Sequence, residues 1–210
     1  MKKALVIGAT GLVGRQLIKL LLADKRYTVL ALVRKPLAII HSKLSQVTFD
    51  FNNPDGSLIV ADEIFCCLGT TIKTAGSKPA FYKVDFEYVL KVAELGFANG
   101  VKKFAMISSV GANKSSAIFY NQTKGAIEEA VTGIGFESLY ILRPSILLGE
   151  RNEFRLGETI GKFLVKAFRF LVPAKYKGIE ASQVTKAMIV CMNEGAPGVH
   201  ILESNEIAAL

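Results

Sequence analysis

Apolar residues in this chain fall in short blocks separated by polar or glycine-rich breaks, and blocks of two kinds alternate. Residues 3–7, Lys-Ala-Leu-Val-Ile, end in a short run without polar alternation, the pattern of a strand buried on both faces. Gly8 to Gly14 interrupts it, and Arg15 to Ala23 continues as a leucine-rich helix broken by Asp24-Lys25-Arg26. Further strands are predicted at 28–33, 47–49, 62–68, 104–107 and 138–142. Helices are predicted at 84–98, stopped by Asn99-Gly100, and at 119–131. Past Arg143-Pro144 the pattern loosens into a basic amphipathic helix at 156–172, a helix at 182–193 and a last strand at 199–202.

Strands that alternate with helices predict an α/β fold: a doubly wound parallel sheet of Rossmann type with a small C-terminal helical extension. A chain of 210 residues buries roughly 70% of its unfolded surface, enough for a core without metals or disulfides. No repeat, low-complexity tract or linker divides it. One domain over 1–210 is therefore expected, with 144–210 too short to fold alone and expected to cover the carboxyl edge of the sheet, where ligands of such folds sit.

Gly8-Ala9-Thr10-Gly11-Leu12-Val13-Gly14 is G-x-x-G-x-x-G placed between a strand and a helix. Glycines at these positions permit a tight turn and let backbone N–H groups approach a pyrophosphate at the positive end of the helix dipole. An NAD site carries an acidic residue at the end of the second strand to bond the ribose 2′-hydroxyl. Here that end reads Leu32-Val33-Arg34-Lys35, with two cations where a 2′-phosphate would lie. Arg34 can also lay its guanidinium on the adenine face. NADP(H) is expected over NAD(H), and residues 1–210 over a two-domain arrangement.

Tyr120 and Lys124 stand four apart on a predicted helix, so both project from one face. Ser109 ends the fifth strand. A tyrosine with an ordinary pKa of about 10 is a poor proton carrier at neutral pH, and a nearby ammonium favours its phenolate. Lys124 would supply that charge while bonding a nicotinamide ribose, and Ser109 would polarise a substrate carbonyl.

Composition and charge narrow the partners. Half of the residues are hydrophobic, but no apolar run reaches the ~18–20 residues that cross a bilayer. Met1-Lys2-Lys3 has the charge of a leader, yet Gly8, Gly11 and Gly14 cut the apolar stretch behind it and no small-residue cleavage site follows. A soluble, cytoplasmic protein is expected. Cys66, Cys67 and Cys191 have neither disulfide nor metal spacing. The first two, inside Ile64 to Leu68, are expected to be buried strand residues in a reducing compartment. His41 and His200 stand alone and are expected to be structural, so no metal is expected. The formal charge of +8 is spread along the chain without a dense basic run or basic–aromatic motif, and a polyanionic dinucleotide accounts for its sign. Nucleic acid is not expected as a partner. In the helix at 156–172, Lys162, Lys166 and Arg169 accompany Phe163, Leu164, Ala167, Phe168 and Leu171. Such a helix can lie on an anionic membrane. Its position after Arg143-Pro144 favours covering the cleft or a subunit contact, so no membrane partner is expected and a homodimer stays open.

The glycine turn, Ser108-Ser109 and Tyr120-Asn121-Gln122-Thr123-Lys124 resemble the short-chain dehydrogenase/reductase superfamily in its extended or atypical branch. Three segments resemble, more narrowly, the Tat-interacting-protein-like oxidoreductases: Phe65 to Thr71, Ser108 to Ser116 and Arg143 to Gly149. The resemblance runs from residue 3 to about 172. It implies that Thr10, Gly11, Leu12 and Val13 line the cofactor phosphates and that Arg34 and Lys35 meet the adenosine end. It places Asp50 near the adenine and Leu68 and Gly69 along the ribose. Tyr120 and Lys124 would hold the nicotinamide ribose, and Leu147 and Arg155 would close the nicotinamide side. Ser109 occupies the usual place of the catalytic serine, with Ser108 one residue away on the other face. Many members also carry a proton-relaying Asn on the helix before the fifth strand; Asn99, the candidate here, is better explained as a helix cap.

Two functions follow. One is an NADPH-dependent reductase, in which Tyr120 gives a proton to a small carbonyl substrate. The other is an NADPH-binding regulatory or sensor protein with weak or no turnover. The Ser109–Tyr120–Lys124 set favours the first, and the small C-terminal part keeps the second open. A sugar-nucleotide epimerase is a weaker option, because those enzymes carry a larger substrate domain.

Overall fold

The first strand, β1 (Lys2–Ile7), runs through the middle of the sheet because both its faces are apolar: Ala4 and Val6 enter one core layer, Leu5 and Ile7 the other. The computed structural model describes residues 1–149, 173 and 176–210. After β1 come α1 (Leu12–Ala23), β2 (Tyr27–Val33), β3 (Leu44–Thr48), β4 (Glu63–Cys66), α2 (Ile72–Ala75) and α3 (Lys78–Tyr82). A π-helical turn, Lys83–Glu87, leads into α4 (Tyr88–Ala98), followed by β5 (Lys103–Ile107), α5 (Phe119–Thr132) and β6 (Ser138–Arg143). The remaining described elements are β7 (Leu147–Leu148), β8 (Ile179–Glu180), α6 (Ala181–Glu194), β9 (Gly198–Glu203) and α7 (Ser204–Ala209).

Among the described residues the main sheet has the order β3-β2-β1-β4-β5-β6-β9, and every neighbouring pair is parallel. The chain steps outward from β1 to β3, then crosses to the other side of β1 for β4. That reversal opens a crevice at the carboxyl ends of β1 and β4, the usual ligand position in such sheets. The expected doubly wound Rossmann fold is thus the observed one.

Helix spacing decides which residues face the sheet. In α1, Val13, Leu17 and Leu21 share a stripe with Ile18, and this stripe packs with Val184, Ala187, Met188 and Cys191 of α6 over one face. On the other face, Val89 and Val92 of α4 and Ile127 and Val131 of α5 meet Leu5, Ile7 and Ile64. Full burial of each such aliphatic side chain contributes about 1.5–3 kcal/mol. Asn99 is a cap, as expected: it ends α4, and its amide donates to the carbonyls of Gly56 (2.7 Å) and Ile59 (2.8 Å).

Residues 181–194 and 198–203 do not form a separate extension over the cleft. α6 completes the layer begun by α1, and β9 adds the outermost strand beside β6. Residues 150–172, 174 and 175 of the expected covering segment, including the predicted helix at 156–172 with Phe163, Phe168 and Phe170, lie outside the described residues. The histidines serve local structure. His200 stacks on Tyr140 at 4.8 Å with Nε2 facing the carbonyls of Ala196 and Pro197, and His41 Nδ1 accepts from the Lys43 N–H. The three cysteines are unbridged, Cys66 and Cys191 buried and Cys67 half-buried.

At the amino edge of the sheet, opposite the crevice, buried Glu63 pairs with Lys2 at 2.7 Å and accepts from the Tyr27 hydroxyl at 3.0 Å. Burial, with the Glu63 carboxylate adding to it, holds the Tyr27 phenol well above its ordinary range. That cluster ties β1, β2 and β4 together far from the carboxyl-edge loops.

Candidate nucleotide and catalytic site

The turn after β1 needs its glycines for steric reasons. Gly8 has φ +77°, and a Cβ there would lie 2.3 Å from the carbonyl oxygen of Cys67, so the turn presses directly on the exit of β4. A Cβ on Gly14 would lie 2.2 Å from the Gly8 oxygen, so α1 starts in contact with its own turn. Gly11 is the N-cap of α1 and supplies no side-chain cap, and the first turn holds no acidic residue. The N-terminal N–H groups of α1 therefore keep their donor capacity, as a bound pyrophosphate requires. Thr10 and Gly11 are exposed at this turn, while Leu12 is half-buried and Val13 faces the core.

Arg34 and Lys35 follow β2 at the same edge, both exposed, and neither forms an ion pair among the described residues. The Phe49 N–H donates to the Val33 carbonyl at 2.9 Å, which sets Asp50 next to the exit of β2. Asp50 itself accepts from the Asn52 backbone N–H at 2.9 Å. Leu68 and Gly69 leave β4 beside Gly8. Leu147 lies in β7, half-buried, and a Cβ on nearby Gly149 would touch Leu12 at 3.2 Å, so this segment returns to the nucleotide turn. Arg155 lies outside the described residues. The residues present thus fit a dinucleotide: a cradle that tolerates no Cβ, free backbone donors at its helix, and unpaired cations at the end of β2.

The serine pair divides. Ser108 is buried and its hydroxyl donates to Glu128 of α5. Glu128 also accepts from Arg143 Nε at 3.0 Å and from its terminal nitrogen at 2.5 Å, and Arg143 reaches Glu203 at 3.0 Å. The Glu128 carboxylate first, and that of Glu203 after it, hold the Arg143 guanidinium charged. Ser108 is therefore engaged in a cluster joining β5, β6, α5 and β9. Ser109 is half-exposed, and among the described residues its hydroxyl has only a long contact, 3.4 Å, to the Val110 carbonyl.

After Ser109 the loop lies against α5. The Asn113 N–H donates to the Asn121 carbonyl at 3.0 Å, and a Cβ on Gly125 would collide with Lys114 N at 2.2 Å. Tyr120 is half-buried and packs on the buried ring of Phe81 at 5.3 Å. One turn on, Lys124 is buried, 4% exposed, with Nζ 2.7 Å from Oδ1 of Asp85, which is fully buried. The other Asp85 oxygen accepts from the Thr70 N–H at 2.9 Å, and a Cβ on Gly69 would stand 3.6 Å from Asp85 and 3.8 Å from Lys124 Nζ. Burial alone would lower the Lys124 pKa; the Asp85 carboxylate foremost, with Tyr120 after it, outweighs this and raises it.

Asp85, Glu128 and Thr70 were not singled out by sequence. A signal existed for the first two: Phe81, Asp85, Val89 and Val92 fall on one helical stripe, as do Lys124, Ile127, Glu128 and Val131. An acidic residue on an apolar stripe is a buried charge in need of a partner. The π-helical turn that carries Asp85 has no comparable sequence signature.

Known proteins similar to this chain share its family and its fold. A family described as NAD(P)H-binding matches residues 8–152. Protein HTATIP2 of Rattus norvegicus is 35% identical over 219 aligned residues, covering 100% of this chain and 89% of that protein. Protein FMP52, mitochondrial, of Eremothecium gossypii is 32% identical over 217, covering 99% and 96%. Among solved structures, MoeE5 in complex with UDP-glucose and NAD superposes with a TM-score of 0.74 at 17% identity, covering 99% of this chain and 80% of that one. A UDP-N-acetylglucosamine 4-epimerase from Methanobrevibacter ruminantium M1 gives 0.72 at 18%, covering 96% and 76%. At these identities the structures speak for the fold alone. The fungal relatives, including that of Candida albicans, are named mitochondrial, which contradicts the cytoplasmic expectation. That expectation rested on the lack of a secretory pattern, which separates export from retention and does not distinguish compartments within the cell.

Proposed function

The chain belongs to the NAD(P)H-binding family, and on that premise we propose that it is an NADPH-dependent oxidoreductase that reduces a small carbonyl compound through Ser109, Tyr120 and Lys124. The observation that carries this reading is the buried, charged Lys124 one helical turn from half-exposed Tyr120 and beside Gly69 at the carboxyl edge.

In this reading Thr10 to Val13 hold the pyrophosphate, Arg34 and Lys35 the 2′-phosphate, and Asp50 the adenine side. Leu68 and Gly69 line the ribose, and Leu147 and Arg155 border the nicotinamide. When bound, NADPH supplies the two-electron reducing equivalent. Ser109, whose hydroxyl has no short partner among the described residues, donates a hydrogen bond to the substrate oxygen. Tyr120 passes its phenolic proton to that oxygen, and the neighbouring Lys124 ammonium stabilises the phenolate left behind. Residues 144–210 belong to the same single domain, and the part that borders the crevice excludes water. A homodimer is compatible with this scheme; nucleic acid and membrane have no part in it.

The test is a titration with NADPH and NADH, followed by a panel of aldehydes and ketones watched at the NADPH absorbance. The expected result is NADPH bound at least about tenfold more tightly, ~1.4 kcal/mol, with NADPH consumed on at least one carbonyl. Binding of NADPH without turnover on any carbonyl would favour a sensor, and equal affinities would remove the NADPH assignment.

A further inference from the structure

Lys124 sits among groups from three elements: Asp85 on the π-helical turn, Tyr120 on its own helix and Cys66 on β4. Burial pushes the Cys66 thiol up to about 12, so it stays neutral and offers no counter-charge. A lysine this enclosed, placed among neutral groups, sheds its proton at far lower pH than an exposed one. Among the described residues, the carboxylate in contact with it is Asp85, itself without access to solvent.

We propose that Asp85 is the positioning residue of this site: it keeps Lys124 protonated and fixed in place, and it joins that ammonium to the cofactor loop through the Thr70 N–H. The proposal rests on the assignment of Lys124 to the cofactor ribose and to Tyr120. The two Asp85 oxygens face different partners, one the Lys124 ammonium at 2.7 Å and the other the Thr70 backbone at 2.9 Å. Order in the Leu68–Thr71 loop and the charge on Lys124 therefore depend on the same carboxylate. Gly69 lies beside the pair: a Cβ there would stand in ordinary contact, 3.6 Å from Asp85 and 3.8 Å from Lys124 Nζ. Asp85, fully buried, acts through Lys124.

Asp85→Asn separates the two roles, since an amide oxygen still accepts from Thr70 while the charge is gone. The direct readout is the side-chain carbon resonance of Lys124 in lysine-labelled, cofactor-free protein, assigned with Lys124→Met and followed from neutral to alkaline pH. In the wild type the signal is expected to stay that of the ammonium until strongly alkaline pH. In Asp85→Asn it is expected to titrate at clearly lower pH, inside the range where the wild-type signal is flat. An unchanged titration would overturn the proposal. If Asp85→Asn does not fold, the cause is decided by Asp85→Asn/Lys124→Met. Recovery of folding in the double variant shows that the stranded Lys124 charge was responsible and supports the pairing. Failure of the double variant as well, with Lys124→Met alone folded, assigns Asp85 to the loop and overturns it. None of these readouts involves turnover, so the reductase reading can fail while the pairing holds, and the reverse.

Discussion

Ser108 and Glu128 are joined side chain to side chain inside the fold, and Glu128 in turn grips Arg143 through two guanidinium nitrogens. This engages the first hydroxyl of the serine pair in structure, while Ser109, half-exposed, has no short partner among the described residues.

The two serines should therefore respond oppositely to alanine. Ser108→Ala removes a partner of a buried carboxylate and is expected to cost about 1–3 kcal/mol of stability, read by denaturant unfolding, with modest change in turnover. Ser109→Ala should leave stability within about 0.5 kcal/mol and cut turnover on the order of a hundredfold. The reverse pattern would transfer the catalytic role to Ser108.

Gly14→Ala tests the cradle. The added methyl would meet the Gly8 carbonyl at 2.2 Å, against backbone that cannot step aside without moving the turn. NADPH affinity is expected to fall by tenfold or more, about 1.4 kcal/mol at the least, measured by fluorescence titration. Gly133→Ala is the control, since its nearest contact is an ordinary 3.5 Å, and it should bind as the wild type does.

The thiols give a pH prediction. Burial pushes Cys66 up to about 12 and Cys191 up to about 11, and holds Cys67 well up too. The thiolate is the reactive form, so at about pH 8 Cys66 is roughly one ten-thousandth ionised, against about a quarter for an ordinary thiol. Iodoacetamide followed by peptide mass mapping should leave Cys66 and Cys191 unmodified in the native protein and label both in urea. Because the unfolded chain releases these protons first, stability should also decline as pH rises above the ordinary thiol range. Rapid native labelling of Cys66 would contradict its burial.

Sheet and helix positions were legible because the central strands carry apolar runs, such as Ala4 to Ile7, and the long helices α1, α4 and α5 each carry an apolar stripe. β1, for instance, differs from the expected 3–7 only by Lys2, which its pairing with Tyr27 brings into the ladder. The nucleotide turn was legible because its glycines are fixed by sterics that sequence spacing reflects. The partner of Lys124 was not, since Asp85 and Lys124 are joined by folding across distant parts of the chain and only the stripe pattern hinted at either charge being buried. Periodicity identifies the helix and the strand within 181–203 but carries no information on which sheet edge they join.

The most direct test of the central claim sets turnover and NADPH affinity side by side for the wild type and Tyr120→Phe. The variant keeps the ring that packs on Phe81 and loses only the hydroxyl. The account predicts a fall in kcat of roughly a hundredfold or more, because the proton donor is gone, with the NADPH dissociation constant and Tm nearly unchanged. Full turnover by Tyr120→Phe on a carbonyl that the wild type reduces would contradict it.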